Sequence, residues 1–499
     1  MELGNTSVRL TNPVAPSAPE SPKSASYGLK SATLSRSETL AQSIALIAPT
    51  GAPVMTVPLV FGLAGQGCAV AFLISTISIL LVALNINQFA RISASPGSLY
   101  TYIADHMHPR IGVLAGWALL IAYLGTAAAV SAGVTNYANV ILRDRFGVES
   151  TPVLLTALVM VLACYLAYRD VQISTRLMLW LEAGSVALIA LVAVSIIYQH
   201  GAHLDIGQFT LRGVTPEKLR LGLVLAIFSS VGFESATSLG SEAKNPLSSI
   251  PSAVKWSAIL AGLFFFLCAY AEVLCFRGES QTLDRSPAPL HVLAQRAGLP
   301  PIIGTLTDLG AVLSFFSCFL ACITSAARVL FLMGRHGALH SLLGEAHEQN
   351  QTPHRAVLLA SIAAFLPAAV MSWRGVNLFD IYGLVGTLAT FGFVTAYILV
   401  SVAAPLYLRA QNQLTPQAIG VSVLAVIAMG AALLGSLYPV PAGSYSLLPY
   451  VYLSLLIVGF SYSTIWTARS PSLASASDLA VLPTEGDSPE QLDSRRASA

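Results

Sequence analysis

The stretch "IAPTGAPVMTVP", residues 47–58, places three prolines and a glycine inside the first long apolar run of the chain. Pro49 has no amide hydrogen to donate, and its ring clashes with the carbonyl four residues back. A first half-helix is therefore expected to end near Ala48. Gly51 permits backbone conformations that other residues resist, and Pro53 suits the first turn of a second half-helix starting near Ala52. Carbonyls freed at the end of the first half attract cations, whereas the amides of Thr50, Gly51 and Ala52 attract anions. One stretch of backbone could thus hold both ends of a zwitterion. A simple proline kink is the competing reading, because neighbouring helices can satisfy the freed groups.

Composition sets the surroundings of this break. Of 499 residues, 55% are hydrophobic and only 10% charged, against roughly 25% charged in ordinary globular proteins. Twelve apolar runs are long enough to be transmembrane helices: approximately 40–62, 68–90, 111–141, 152–168, 174–199, 221–240, 251–275, 301–334, 356–373, 378–407, 416–437 and 447–467. The fold class is therefore an all-α membrane protein. Residues 1–37 and 468–499 are rich in Ser, Pro and Ala, and both are expected to be disordered tails. The first apolar run is too long for the core of a secretory signal and should stay as the first helix.

Most Lys and Arg fall in the segments that are inside when the N-terminus is inside, among them Arg36, Arg91, Arg110, Arg169, Arg176, Lys244, Arg328, Arg335 and Arg355. Both termini are accordingly expected in the cytoplasm. The net charge of +2 and its even spread argue against a nucleic-acid partner. The six cysteines sit in or beside apolar runs, where a free thiol behaves as a small hydrophobe. Cys318 and Cys322 share a helix face with no histidine in the same run, so no metal and no cofactor are expected. The histidines read as solvated loop residues.

Charges inside apolar runs cost at least roughly 2.5 kcal/mol near the bilayer centre and are functional candidates. They are Glu182, Glu234 and Asp308, with Glu272 and Arg328 closer to helix ends. A second break goes with one of them. In "FSSVGFESATS", residues 228–238, paired serines, a glycine and Glu234 interrupt the sixth run, and Ser235 is placed to cap a restarting helix. Interrupted segments at corresponding places in two halves point to a transporter's midplane site.

These residues carry a resemblance. "FSSVGFESATSLGSEAKNPLSSIPSAV" (228–254), "ARISASPGSLYTYI" (90–103), "SAARVLFLMGRHGAL" (325–339) and "TPHRAV" (352–357) are collinear with motifs of the amino acid/polyamine/organocation permease superfamily. The chain resembles that superfamily over about residues 38–467. The resemblance implies two inverted repeats of five helices, here about 38–199 and 218–407, with helices 1 and 6 broken, plus two additional helices at about 416–467. It also implies a substrate pocket at the two breaks: Ala48, Thr50, Gly51 and Ala52 with Phe228, Ser230, Val231, Gly232 and Phe233. Phe228 or Phe233 would be the aromatic gate. Ala52 stands where the family usually has glycine, which narrows a ligand's approach to the backbone.

Glu234 is expected as a structural carboxylate bonded to neighbouring helix backbone, or as a substrate contact. Glu182 lies near the fifth-helix position that carries a lysine in some proton-coupled relatives. Three roles are open to it: a proton carrier, a packing acid paired with Thr324 or Ser325 of the eighth run, or part of a sodium site with Ser325. Asp308 is expected in a solvated vestibule, and Tyr123, Thr126 and Tyr382 are further candidates for the pocket wall.

The expected function is secondary active transport of an amino acid or related amine across the cytoplasmic membrane by alternating access, with proton-coupled uptake first and exchange or sodium symport as alternatives. The only other partner expected is the lipid bilayer, and the sequence assigns no oligomeric state. An enzyme is disfavoured, since no histidine lies in an apolar run and no hydrolase or phosphate-loop motif occurs. A non-transporting sensor would be expected to carry an added signalling domain.

Overall fold

Proline opens seven of the fifteen helices among the described residues. In the computed structural model the chain runs through α1 (Arg36–Ile47), α2 (Val57–Ala64), α3 (Cys68–Ala90), α4 (Leu99–His106), α5 (Pro109–Phe146), α6 (Pro152–Arg169), α7 (Val171–Gln199), α8 (Pro216–Ser230), α9 (Pro246–Cys275), α10 (Pro289–Arg296), α11 (Pro301–Arg335), α12 (His354–Trp373), α13 (Leu378–Ala410), α14 (Pro416–Leu437) and α15 (Leu448–Arg469). A proline at the first helical position loses no hydrogen bond and is pre-set for the helix. Thr215 and Thr415 complete two of these starts by accepting from the Lys218 and Ala418 amides.

The structure describes residues 27–469 apart from 170, 201–204, 212–213, 278–281, 287, 439 and 441–442. The predicted tails up to 26 and from 470 onward lie outside the described residues. No strand occurs among the described residues, only an isolated bridge between Leu34 and Ala243.

Among the described residues, eleven helical stretches are long and apolar enough to cross a bilayer. The first, Arg36–Ala90, has 55 residues. At about 1.5 Å per residue it would measure roughly 80 Å, far more than the ~30 Å hydrocarbon layer. It contains the first two predicted segments, parted where Gly65 ends α2 at φ 55. The twelve predicted runs are therefore all helical. α5 packs along both α11 and α13, and apolar side chains such as Leu73, Ile77, Leu158, Leu263, Leu434 and Ile457 face outward. An apolar exterior over a well-packed interior is what a lipid solvent requires.

The end of the predicted N-terminal tail is built into the fold. The Thr33 and Leu34 amides donate to Glu242 O, the Lys244 amide donates to Leu34 O, and Leu34 is buried against Leu239. Ser35 and Glu38 then form a reciprocal capping box that starts α1.

Candidate functional site

The break after α1 falls where expected, but different residues make it. Ala48, not Gly51, takes the left-handed conformation, at φ 49 and ψ 66. Gly51 is right-handed (φ −62, ψ −33). What requires glycine there is space: a Cβ would stand 2.7 Å from Cε1 of Phe315. The Gly51 amide already donates to Ala48 O at 2.7 Å, so one of the three amides expected to meet an anion is occupied. The chain restarts at Ala52, with Pro53 in the first turn as anticipated, yet as a π-helical turn over Ala52–Thr56 that passes into α2.

Side chains from other helices take the freed carbonyls. Cys318 Sγ donates to Leu46 O at 3.1 Å, and Tyr137 Oη donates to Val54 O at 2.9 Å. The Thr50 hydroxyl is different. It is fully buried and has no hydrogen-bond partner among the described residues, a condition that needs a reason because burying an unpaired hydroxyl costs about 1–3 kcal/mol.

A row of aromatic rings lies over this break. Phe315 is 6.4 Å from Tyr137 and 5.8 Å from Tyr382 by ring centroids, and Tyr382 is 5.6 Å from Phe228. Tyr382 Oη and Thr56 Oγ1 share a 3.0 Å hydrogen bond. Of the two expected gate residues, Phe228 joins this row, while Phe233 packs against Tyr397.

The second break lies between Ser230 and Ser235. Val231 is extended, and Gly232 turns the chain at φ 90, a conformation that favours glycine. The expected α-helical restart is a single 3₁₀ turn, Ser235–Leu239. Ser235 does not cap it: its hydroxyl donates to Gln42 O on α1 at 3.1 Å. The Ala236 amide donates to Ser43 Oγ, the Gly232 amide to Tyr397 Oη, and the Ser230 and Ser75 hydroxyls lie 3.2 Å apart. The two breaks meet where Leu46 packs so closely on Gly232 that a Cβ there would overlap its side chain.

Glu234 holds this arrangement together through side chains and not through the backbone bonds expected. One carboxylate oxygen accepts from Tyr123 Oη at 3.0 Å and the other from Tyr397 Oη at 2.5 Å. One acid thus ties α5 and α13 to the break after α8. Thr126, one turn from Tyr123, has a buried hydroxyl with no partner among the described residues.

The remaining charges fall differently from expectation. Glu182 on α7 accepts from Ser314 Oγ at 2.8 Å, and the Ser317 hydroxyl, nearly one turn further on, also faces its carboxylate. Ser314 precedes Ser325 by eleven residues, roughly 16 Å along a helix. Ser325 bonds Gln42 instead and lies 3.3 Å from Ser238. Glu182 is therefore paired neither with Thr324 nor with Ser325, and the sodium site that required Glu182 beside Ser325 is not assembled. Asp308 is buried rather than solvated and binds His291 Nδ1 at 3.0 Å. Glu272 is fully buried with neither oxygen partnered among the described residues.

Arg328 makes a two-pronged pair with Glu242, at 2.8 and 2.5 Å, and donates to Thr324 O. Several histidines also pack: His336, half-buried, bonds Tyr100 Oη at 2.8 Å, and burial pulls its pKa down to about 4. Phe315, Tyr137, Tyr397 and Glu242 were not identifiable as site residues. For Phe315 the one sequence signal is Gly51 and Gly133, whose missing Cβ atoms make room for its ring; the partners of the others cannot be read from one sequence.

Two helices interrupted side by side inside a bundle, each break stitched by other helices, define a membrane transporter of the inverted-repeat type. Residues 34–476 match the model of the amino acid permease family, so the chain belongs to that family, within the amino acid/polyamine/organocation permeases. The branched-chain amino acid permease BcaP of Bacillus subtilis is 26% identical over 376 residues, covering 70% of this chain and 76% of the relative. The low-affinity putrescine importer PlaP of Escherichia coli K12 is 25% identical over 377 residues, 72% of this chain and 78% of the relative. Among solved structures, MhsT in complex with L-phenylalanine aligns with a TM-score of 0.56 at 14% identity, covering 81% of this chain and 99% of that one. That likeness supports the five-plus-five fold with helices 1 and 6 broken.

Proposed function

We propose that this permease takes up a neutral, apolar amino acid across the cytoplasmic membrane, by alternating access around the paired breaks and driven by protons. The observation that carries the reading is the unpartnered Thr50 hydroxyl, buried in the first break beside the aromatic row and next to the second. A ligand that accepts and donates hydrogen bonds at that backbone relieves the cost of leaving the hydroxyl unpaired. Its apolar side chain would lie against Phe315, Tyr382 and Phe228. Both Glu234 oxygens are already bonded, which leaves no acid there for a second ammonium and favours an amino acid over a diamine.

Glu182 is the proposed proton carrier. It is buried beside the first break, and it is met only by the hydroxyls of Ser314 and Ser317, which can donate to it or accept from it, so that it can gain and lose a proton without dismantling a network. Both termini are taken as cytoplasmic on the distribution of Lys and Arg.

Uptake of labelled leucine, valine, phenylalanine and putrescine into proteoliposomes, with proton and sodium gradients imposed separately, tests the reading. A proton gradient, alkaline inside, should drive accumulation of an apolar amino acid. Glu182→Gln should abolish accumulation and spare exchange. Accumulation driven only by sodium, or counterflow with no response to either gradient, contradicts proton coupling.

A further inference from the structure

A cavity abuts the first break. Its volume is about 250 Å³, and Ile44, Ile47 and Pro49 of the broken helix, Glu182 of α7, and Leu260 and Phe264 of α9 line it. None of Phe315, Tyr137, Tyr382 and Phe228 lines it, so this space is separate from the aromatic row. Apart from Glu182 its walls are apolar. Glu182 is only 2% exposed, and it meets the hydroxyls of Ser314 and Ser317 but no cationic group among the described residues. Leu260 and Ala183, at the rim, are exposed on the bundle's apolar exterior, so the mouth opens toward lipid and not toward an aqueous vestibule.

We infer that this cavity is a binding site for a lipid-soluble primary amine, its ammonium on Glu182 and its hydrocarbon body between α1, α7 and α9. A carboxylate held only by neutral hydroxyls in otherwise apolar surroundings selects a charged N–H donor, because only such a partner offsets the burial of the charge. The same carboxylate repels the carboxylate of an amino acid, so the transported substrate is excluded. A cavity of roughly 150 Å³ holds a benzene-sized ligand; this one suits an alkyl or aralkyl amine of roughly six to eight carbons. α1 packs against both α7 and α9, so an occupant braces the half-helix against its neighbours. The amine is therefore an inhibitor that does not compete with substrate. The site depends on Glu182 carrying charge when the amine is bound and does not depend on its role in coupling.

The test uses the purified full-length protein in nanodiscs, with hexylamine, hexan-1-ol and hexanoate as probes and the thermal unfolding midpoint as readout, so that no transport is needed. Hexylamine should raise the midpoint saturably. Hexanol and hexanoate should bind at least roughly tenfold more weakly, as loss of a charged hydrogen bond implies. Glu182→Gln should erase the preference for amine over alcohol. Ala183→Phe, which fills the mouth from an exposed position, should block hexylamine while leaving the midpoint without ligand unchanged, which shows that the fold is intact. Equal responses to amine and alcohol in the unmodified protein, or undiminished hexylamine binding in both variants, overturns the inference. So does displacement of hexylamine by a transported amino acid, which would place it in the transport site. Failure of proton-driven uptake leaves this result standing, and the reverse also holds.

Discussion

The two helix breaks lie against each other yet are built in opposite ways. After α1 the chain is interrupted by Ala48 and Pro49, resumes as helix within a few residues, and leaves the Thr50 hydroxyl unpaired. After α8 the chain turns at Gly232, does not recover an α-helix, and is knitted to its surroundings by Tyr123, Tyr397, Ser43 and Gln42. The first break leaves its central hydroxyl unpaired, whereas the second has spent nearly all of its capacity on the protein, only Ser229 at its edge having a hydroxyl without a partner among the described residues. A transporter needs both conditions, one place where a ligand completes the bonding and one that holds neighbouring helices in register while it does so.

Substitutions can break this contrast, beginning with the largest effect. Glu234→Ala removes two hydrogen bonds to a buried carboxylate and strands two tyrosine hydroxyls, so unfolding stability should fall by about 3–5 kcal/mol. Denaturant unfolding of the purified protein checks it; a loss below that of a typical surface substitution would show that the second break is not a clamp. The buried pair of Arg328 and Glu242 belongs to the same rank, since breaking such a pair costs about 3–5 kcal/mol, and Glu242→Gln measures it.

The glycines separate the breaks more sharply. Gly51→Ala should cost about 1–3 kcal/mol by overpacking against Phe315, and the added change Phe315→Leu should recover most of it. Gly232→Ala should cost at least as much, through backbone strain at φ 90 together with overlap on Leu46. Adding Leu46→Ala should relieve the overlap but not recover the loss, because the strain stays in the chain and Leu46→Ala itself leaves a cavity. If both double variants recover, the two glycines do the same job and the contrast fails.

Acid acts at a third place and must be kept apart from both. His336 is held neutral, with its pKa lowered from 6.5 to about 4 by burial. The unfolded chain then binds more protons between those values, so stability is intact above pH 6.5 and falls by about 1.4 kcal/mol per pH unit on acidification toward pH 4. His336→Asn should flatten that slope in unfolding measured across this range.

Much of this was legible in the chain. The apolar runs report burial in lipid and needed no tertiary information. Pro49 and the paired serines with Gly232 marked both breaks, because helix breakers act locally. What could not be read was which residue takes each strained conformation and who answers each freed group. Gly51 was expected to permit the unusual backbone conformation, but Ala48 adopts it; the need at Gly51 comes from Phe315, more than 260 positions away. Ser235 has the chemistry of a cap and is diverted to Gln42 on another helix. Glu182 was offered partners on the right helix but about three turns from Ser314, the one it uses. In each case local chemistry offered several bonds and packing chose among them.

The central claim, that substrate completes the bonding at the first break, is tested most directly by substrate affinity and unfolding midpoint measured together in Thr50→Val. Valine keeps the shape and removes the unpaired hydroxyl. The account predicts an unchanged or slightly raised midpoint with affinity weakened roughly three- to tenfold, the size of one hydrogen bond. Unchanged affinity would contradict it, and so would a midpoint that falls, since the hydroxyl would then already serve the protein.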